Sequence, residues 1–247
     1  HVMTQKGKGY EFCEENPEAT HGISISSSDN YSKEYSEVLG TTLSGLAEKD
    51  ERIVAVTAAM TSSLGLGGFF EKYPGRSVDV GICEEHATIL CASMAAAGLK
   101  PYYAVYSTFL QRSYDEIVID ICSQNLPVTL CIDRAGISGS DGETHQGVFD
   151  FTYLSGIPNM HICAPKNKWE LSDMLKFAVS LGAPVAVRYP RGMAYAGLKE
   201  HREPIRLGKA EWIYREREIA LFAVGSMVKT AEAVRESLKA RGHEVSL

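Results

Sequence analysis

The sequence predicts an α/β protein: a mostly parallel sheet with helices on both faces, followed by a partial α/β C-terminal domain. Three observations predict it. Short, strongly apolar runs at residues 53–56, 128–132 and 185–189 are of the type buried on both sides of a parallel sheet. Segments of helical period lie among them, at 35–46 and 168–181. The links between the two kinds are short, as βαβ units require.

The elements follow in order. Residues 1–30 hold Gly7, Gly9, Pro17 and a polar run at 26–30; they read as an exposed connector with a strand-like HVMT at its start. From Tyr31 the text becomes regular, and Tyr35, Val38, Leu39, Thr42 and Leu46 fall on one helix face. A strand at 53–56 leads into a Gly/Ser-rich loop ending at Gly68, then a strand at 77–82. Residues 84–98 read as a helix of small residues, 102–106 as a strand and 109–122 as a helix. After the strand at 128–132 a Gly-rich loop covers 134–147. A strand at 161–164, an amphipathic helix at 168–181 and a strand at 185–189 complete this domain. A charged linker follows Gly197, and a second βαβ opens with a strand at 219–224, a helix at 229–241 and a strand at 244–247. The expected division is a connector at 1–30, a main domain at 31–198 and the start of a further domain at 199–247. The chain opens on His1 and closes on EVSL, a strand that has only begun, so a piece of a longer polypeptide is expected.

Composition narrows the function classes. The 25 basic and 31 acidic residues leave a net charge of −6, which argues against non-specific nucleic-acid binding. The sequence holds no apolar run of the roughly 18 residues a membrane helix needs and no signal-peptide pattern, so a cytoplasmic protein is expected. The six cysteines are scattered, mostly in apolar stretches, with no CxxC or His/Cys ligand cluster; reduced, buried thiols are expected.

In open parallel sheets, ligands sit beyond the carboxyl ends of the strands, and three segments fall there: 81–86, 106–112 and 133–145. Glu84 is either an acid favoured by the dipole of a helix start or a catalytic carboxylate; Glu85 keeps the first explanation. His145, in DGETHQG, is placed to move protons, with Thr144 and Gln146 able to fix its ring. Phe109 and Leu110 are either helix core or, for Phe109, a ring to stack on a flat heterocycle; Tyr114 reads as core. Arg112, Arg134 and Arg191 lie at one sheet edge and would converge as an anion pocket. Arg188 reads as a scattered surface arginine.

Taken together and in order, GICEEH, YSTFLQRSYD, DRAGISGSDGETHQG, GIPNM and RYPRG resemble the 1-deoxy-D-xylulose-5-phosphate synthase family, transketolase-like enzymes that use thiamin diphosphate. The opening HVMTQKGKGY and the later HG resemble the segment that leaves the first domain of that family, so the likeness covers essentially the whole chain. It implies a thiamin diphosphate-binding, transketolase pyrimidine-type domain. It also implies condensation of pyruvate with D-glyceraldehyde 3-phosphate, with loss of carbon dioxide, for isoprenoid-precursor and thiamin biosynthesis. The family is typically a homodimer.

Carried over residue by residue, the resemblance gives Glu84 the aminopyrimidine nitrogen, Phe109 the face of that ring, and Tyr10 a further cofactor contact. His145 and His21 become proton-transfer groups. Tyr106, Arg112, Arg134, Asp141 and Arg191 would line the pocket for the phosphorylated aldehyde. Three positions depart from the family pattern: Thr20, Cys83 and Glu85. The family's Mg2+ ligands lie in a GDG-plus-Asn segment, and no GDG occurs in this chain. No metal ligand is therefore assigned here, and residues 1–247 alone are expected to be inactive. The alternatives are a transketolase or a 2-oxoacid dehydrogenase β-type subunit and, in other classes, a non-catalytic α/β binding protein or a nucleotide-binding oxidoreductase. The last is disfavoured because VGSMVK lacks GxGxxG.

Overall fold

A computed structural model describes residues 1–17 and 33–247. The chain divides into two units, His1–Ser32 and Lys33–Leu247. In the first, the short helix α1 (Glu11–Glu15) follows Tyr10, which is exposed. The Glu14 carboxylate accepts from Gln5 Nε2 at 2.6 Å and from the Gly9 N–H at 2.8 Å. Residues 1–4 form no strand, against expectation: HVMT has the composition of one but pairs with no strand among the described residues.

The second unit begins with α2 (Tyr35–Ala47), whose entry is a capping box between Glu34 and Glu37. Its expected face is real: Tyr35, Val38, Leu39 and Thr42 are buried, and Leu46 packs half-buried on the core. The run IVAVT then forms β1 (Ile53–Thr57), buried throughout. Next come α3 (Gly67–Lys72) and β2 (Ser77–Asp79), then α4 (Glu84–Ala96) and β3 (Lys100–Tyr106). The sequence reading put only a loop where α3 begins, because its two glycines hide a single turn that Phe69 anchors in the core.

Helix 109–122 was expected to be continuous, but the stretch is composite. It runs through α5 (Ser107–Leu110), a 3-10 turn (Gln111–Ser113), α6 (Tyr114–Glu116) and a π-helical turn (Ile117–Cys122). Leu110, Ile117 and Ile121 are buried, whereas Tyr114, expected in the core, is 46% exposed and meets Tyr153 edge-on at 5.9 Å. The remainder is β4 (Thr129–Asp133), an unforeseen α7 (Asp150–Leu154), β5 (His161–Cys163), α8 (Lys168–Leu181) and β6 (Val185–Arg188). Asn167 caps α8 by accepting from the Glu170 N–H at 2.9 Å.

The six strands form one fully parallel sheet in the order β2-β1-β3-β4-β6-β5. Neighbours on β3 show that both faces are covered. The Tyr102 hydroxyl donates to the Leu175 carbonyl of α8 at 2.8 Å, while Tyr103, on the opposite face, is set against Cys91 and Glu84 of α4. Between α2 and the loop after β1 the backbones nearly touch: a Cβ on Gly40 would stand 2.0 Å from the Gly65 carbonyl oxygen. The chain leaves β1 toward β2, then returns to the other side of β1 for β3, so the switch point lies at the carboxyl ends of β1 and β3.

Farther along, β7 (Ile219–Ala220), α9 (Met227–Lys239) and β8 (Val245–Ser246) make a separate two-stranded parallel βαβ. Its small core holds Leu198, Val228 and Leu247. The expected strand at 219–224 is two residues long, and Phe222 beyond it is 90% exposed. All six cysteines are free thiols. Cys91, Cys122 and Cys131 are buried, but Cys83 is exposed, so the buried-thiol expectation fails there. Burial pushes the Cys122 and Cys163 thiols up to about 11. Among the described residues no helix is long and apolar enough to cross a membrane.

Candidate functional site

Strand ends fix the site. Thr57, Asp79, Tyr106, Asp133 and Arg188 close their strands at the same edge of the sheet, and the loops that follow carry most of the candidate residues. Asp79 ties two of these loops together. Its carboxylate accepts from the Ala59 N–H at 2.7 Å, the Thr61 hydroxyl at 2.8 Å and the Gly81 N–H at 3.0 Å.

Glu84 is the first residue of α4, where the helix dipole favours a negative charge. It is nonetheless only 2% exposed, and an ionised carboxylate so deep requires a partner. That partner is Arg112, whose Nη1 stands 2.7 Å from Glu84 Oε2. The 3-10 turn between α5 and α6 carries Arg112. Glu85 beside it is half-buried.

Aromatic rings form the next layer. Tyr106 and Phe109 stack at 5.5 Å with 16° between planes, and the His145 ring stands edge-on to Phe109 at 5.2 Å and to Tyr106 at 6.4 Å. Thr144 Oγ1 lies 2.9 Å from His145 Nδ1, so the threonine fixes the ring as expected. Gln146 does something else: it accepts from the Ser138 N–H at 2.7 Å and donates to the Gly142 carbonyl at 2.6 Å, which pins the loop rather than the imidazole. Gly147 closes that loop with paired backbone hydrogen bonds to Gly136 at 2.7 Å, and a Cβ there would stand 2.1 Å from the Arg134 carbonyl oxygen.

The arginines separate into two groups. Arg134 and Arg191 meet on Asp141, at 3.6 Å from Arg134 Nε and 2.8 Å from Arg191 Nη1. Arg134 also lies over the Tyr106 ring at 4.0 Å, donates to the Ser63 carbonyl at 3.3 Å and faces Asp133 Oδ2 at 3.0 Å, a charge contact without hydrogen-bond alignment. Arg112 is on Glu84 instead, so the expected convergence of three arginines is one pair plus one. Arg188 is not a scattered surface residue: it pairs with the buried Asp150 at 2.8 Å and covers the Phe151 ring at 4.1 Å. Burial raises the Tyr106 hydroxyl above its ordinary value.

Asp133 escaped the sequence reading. It ends β4 at 1% exposure, and its Oδ1 accepts the Arg134 N–H at 2.5 Å, holding Arg134 at a φ of +56°. Burial pushes its carboxyl up to about 6 against the pull of Arg134. A carboxylate closing a buried apolar strand was the available signal. His21 lies outside the described residues, and Tyr10 belongs to the first unit.

A flat heterocycle with a basic ring nitrogen suits the Glu84 carboxylate and the Phe109 ring. Among the described residues no group of three or more His, Cys, Asp or Glu could hold a metal ion.

Residues 32–195 match the family described as transketolase, pyrimidine binding domain. The chain belongs to that family. Its curated relatives include 1-deoxy-D-xylulose-5-phosphate synthases of Lachnoclostridium phytofermentans, 49% identical over 254 residues, and of Clostridium tetani, 48% identical over 253. Each alignment takes in 100% of this chain and 41% of the relative, so the chain spans about two fifths of their length. Among solved structures, a split-gene transketolase titled an inactive beta4 tetramer superposes with a TM-score of 0.73 at 23% identity, covering 86% of this chain and 69% of its own. Transketolase from Campylobacter jejuni also gives 0.73, at 21% identity, covering 94% and 37%. These structures agree with the parallel-sheet fold. The deoxyxylulose-phosphate names of the relatives agree with the resemblance carried by GICEEH and DGETHQG.

Proposed function

We propose that this chain supplies the pyrimidine half of the active site of a 1-deoxy-D-xylulose-5-phosphate synthase. The reaction joins pyruvate to D-glyceraldehyde 3-phosphate with release of carbon dioxide. The observation that carries the proposal is the likeness to relatives of that name along the whole chain, with Glu84 buried at a helix start on Arg112 and with Phe109 against the His145 ring.

Thiamin diphosphate, when bound, supplies an electron sink for decarboxylation and carbon–carbon bond formation. Glu84 holds the proton of the pyrimidine ring nitrogen, and Phe109 packs on the ring face. The family resemblance gives Tyr10 a further role in cofactor binding. Arg134 and Arg191 hold the aldehyde phosphate, with Tyr106 and Asp141 lining the pocket, which keeps the aldehyde in range. His145, steadied by Thr144, and His21 exchange protons with the substrate oxygens. Mg2+ and the diphosphate would be held by residues outside this sequence, which has no GDG.

We further propose a domain division near residues 198 and 199, supported by the separate two-stranded sheet of the C-terminal βαβ. A homodimer is supported by the exposed apolar side chains Ile82, Ile89 and Ile119 beside α4. A cytoplasmic location, and partners that are small molecules rather than nucleic acid or membrane, complete the proposal.

The test is product formation from pyruvate and glyceraldehyde 3-phosphate with thiamin diphosphate and Mg2+, followed by mass spectrometry. The chain alone should give none. Adding the amino-terminal part of the Clostridium tetani relative should restore turnover, and Glu84→Gln should abolish it. Turnover of sugar-phosphate pairs instead would reassign the chain to transketolase, and no turnover after complementation would refute the proposal.

A further inference from the structure

We infer that Arg112 is a positioning residue for the Glu84 carboxylate, serving the cofactor half of the site, and that the anion subsite is built from Arg134 and Arg191 without it. This rests on the proposed function and departs from the role that the family resemblance gives Arg112.

The two groups of charges differ in what an arriving anion would have to disturb. Glu84 has a side-chain exposure of 3% and sits in the first turn of a thirteen-residue helix packed on the sheet, so it cannot follow its partner. Drawing Arg112 away to a phosphate would leave a buried carboxylate without compensation, which is a strongly unfavourable exchange. Asp141 is different. It ends a 3-10 turn that begins at Gly139 and is followed by Gly142, both at positive φ, its side chain is 18% exposed, and its contacts are 3.6 Å to Arg134 and 2.8 Å to Arg191. A phosphate arriving between Arg134 and Arg191 would compete with the Asp141 carboxylate and would strand no carboxylate as deeply buried as Glu84. Arg112 also has its direction set locally, because the 3-10 turn that carries it breaks the helix between α5 and α6.

The experiment measures two probes, thiamin and inorganic phosphate, by ligand-observed NMR on the full 247-residue chain, which registers millimolar binding. Arg112→Met should weaken thiamin by about tenfold, the worth of a charge-assisted hydrogen bond, and leave phosphate within about twofold. Arg112→Lys should recover part of the thiamin affinity. Arg134→Met should do the reverse, losing phosphate and keeping thiamin. Circular dichroism checks folding. If Arg112→Met unfolds, the lysine variant carries the comparison, with the same split expected at smaller amplitude. Arg112 variants that keep full thiamin affinity, or lose phosphate as Arg134→Met does, overturn the inference and leave the proposed reaction standing. A parent chain that binds no thiamin overturns the inference, and turnover after complementation decides the proposed reaction separately.

Discussion

Asp133 gives the sharpest test of the electrostatics of this site. It is 1% exposed, and burial lifts its carboxyl from 3.8 to about 6 although Arg134 pulls the other way and Glu34 adds to the lift. A folded-state value above the unfolded one means that the folded form binds the proton more tightly. The stabilising contribution is therefore fully present below about pH 4 and is lost as pH rises through 6. Asn at this position keeps an acceptor for the Arg134 N–H but does not titrate. It also gives up the 3.0 Å charge contact with Arg134, which exists only while Asp133 is ionised and is already counted in the folded-state value. Between pH 4.5 and 7.5 the parent should lose about 2 kcal/mol relative to Asp133→Asn, from about 1.4 kcal/mol per pH unit over the interval up to the folded-state value. Urea unfolding of both proteins at the two pH values measures the difference of differences. A gap that stays constant with pH, or that moves in the parent's favour on going to pH 7.5, would refute the reasoning.

Two further perturbations test the packing. Gly40→Ala should cost more than about 2 kcal/mol, because its Cβ would meet the Gly65 carbonyl oxygen at 2.0 Å, whereas Gly45→Ala on the same helix meets nothing within 4 Å and should add about 0.5–1 kcal/mol; thermal melting separates the two. Arg188→Met should cost about 3–5 kcal/mol by stranding Asp150, and Asp150→Asn in that background should return part of it; denaturant midpoints of the single and double variants decide.

The fold was legible in the sequence where one physical signal dominated. The apolar runs at β1, β4 and β6 and the amphipathic period of α8 each leave one structure that buries them, and those elements stand where the pattern placed them within a residue or two. It failed where local chemistry was mixed. The glycines of α3, the overwound turn at Gln111–Ser113 and the shortened β7 are set by what packs against them, which residue types do not encode. The site divides along the same line. Strand order placed most of its candidate residues at one edge, because a parallel sheet puts its strand ends and the loops after them on one side. Which charge meets which is a different question. Three arginines (Arg112, Arg134, Arg191) and three carboxylates (Glu84, Asp133, Asp141) are among the charged groups at that edge, and sequence spacing is compatible with several pairings. The pairing is decided by a 3-10 turn that aims Arg112 at α4 and by a left-handed residue, Arg134, that turns back over Tyr106. Both are backbone choices, a tightened turn and a φ of +56°, and each changes the partner of a charged side chain. The charges of the site can therefore be counted from the sequence, but their division into a cofactor pair and an anion pair is visible only once the turns are drawn.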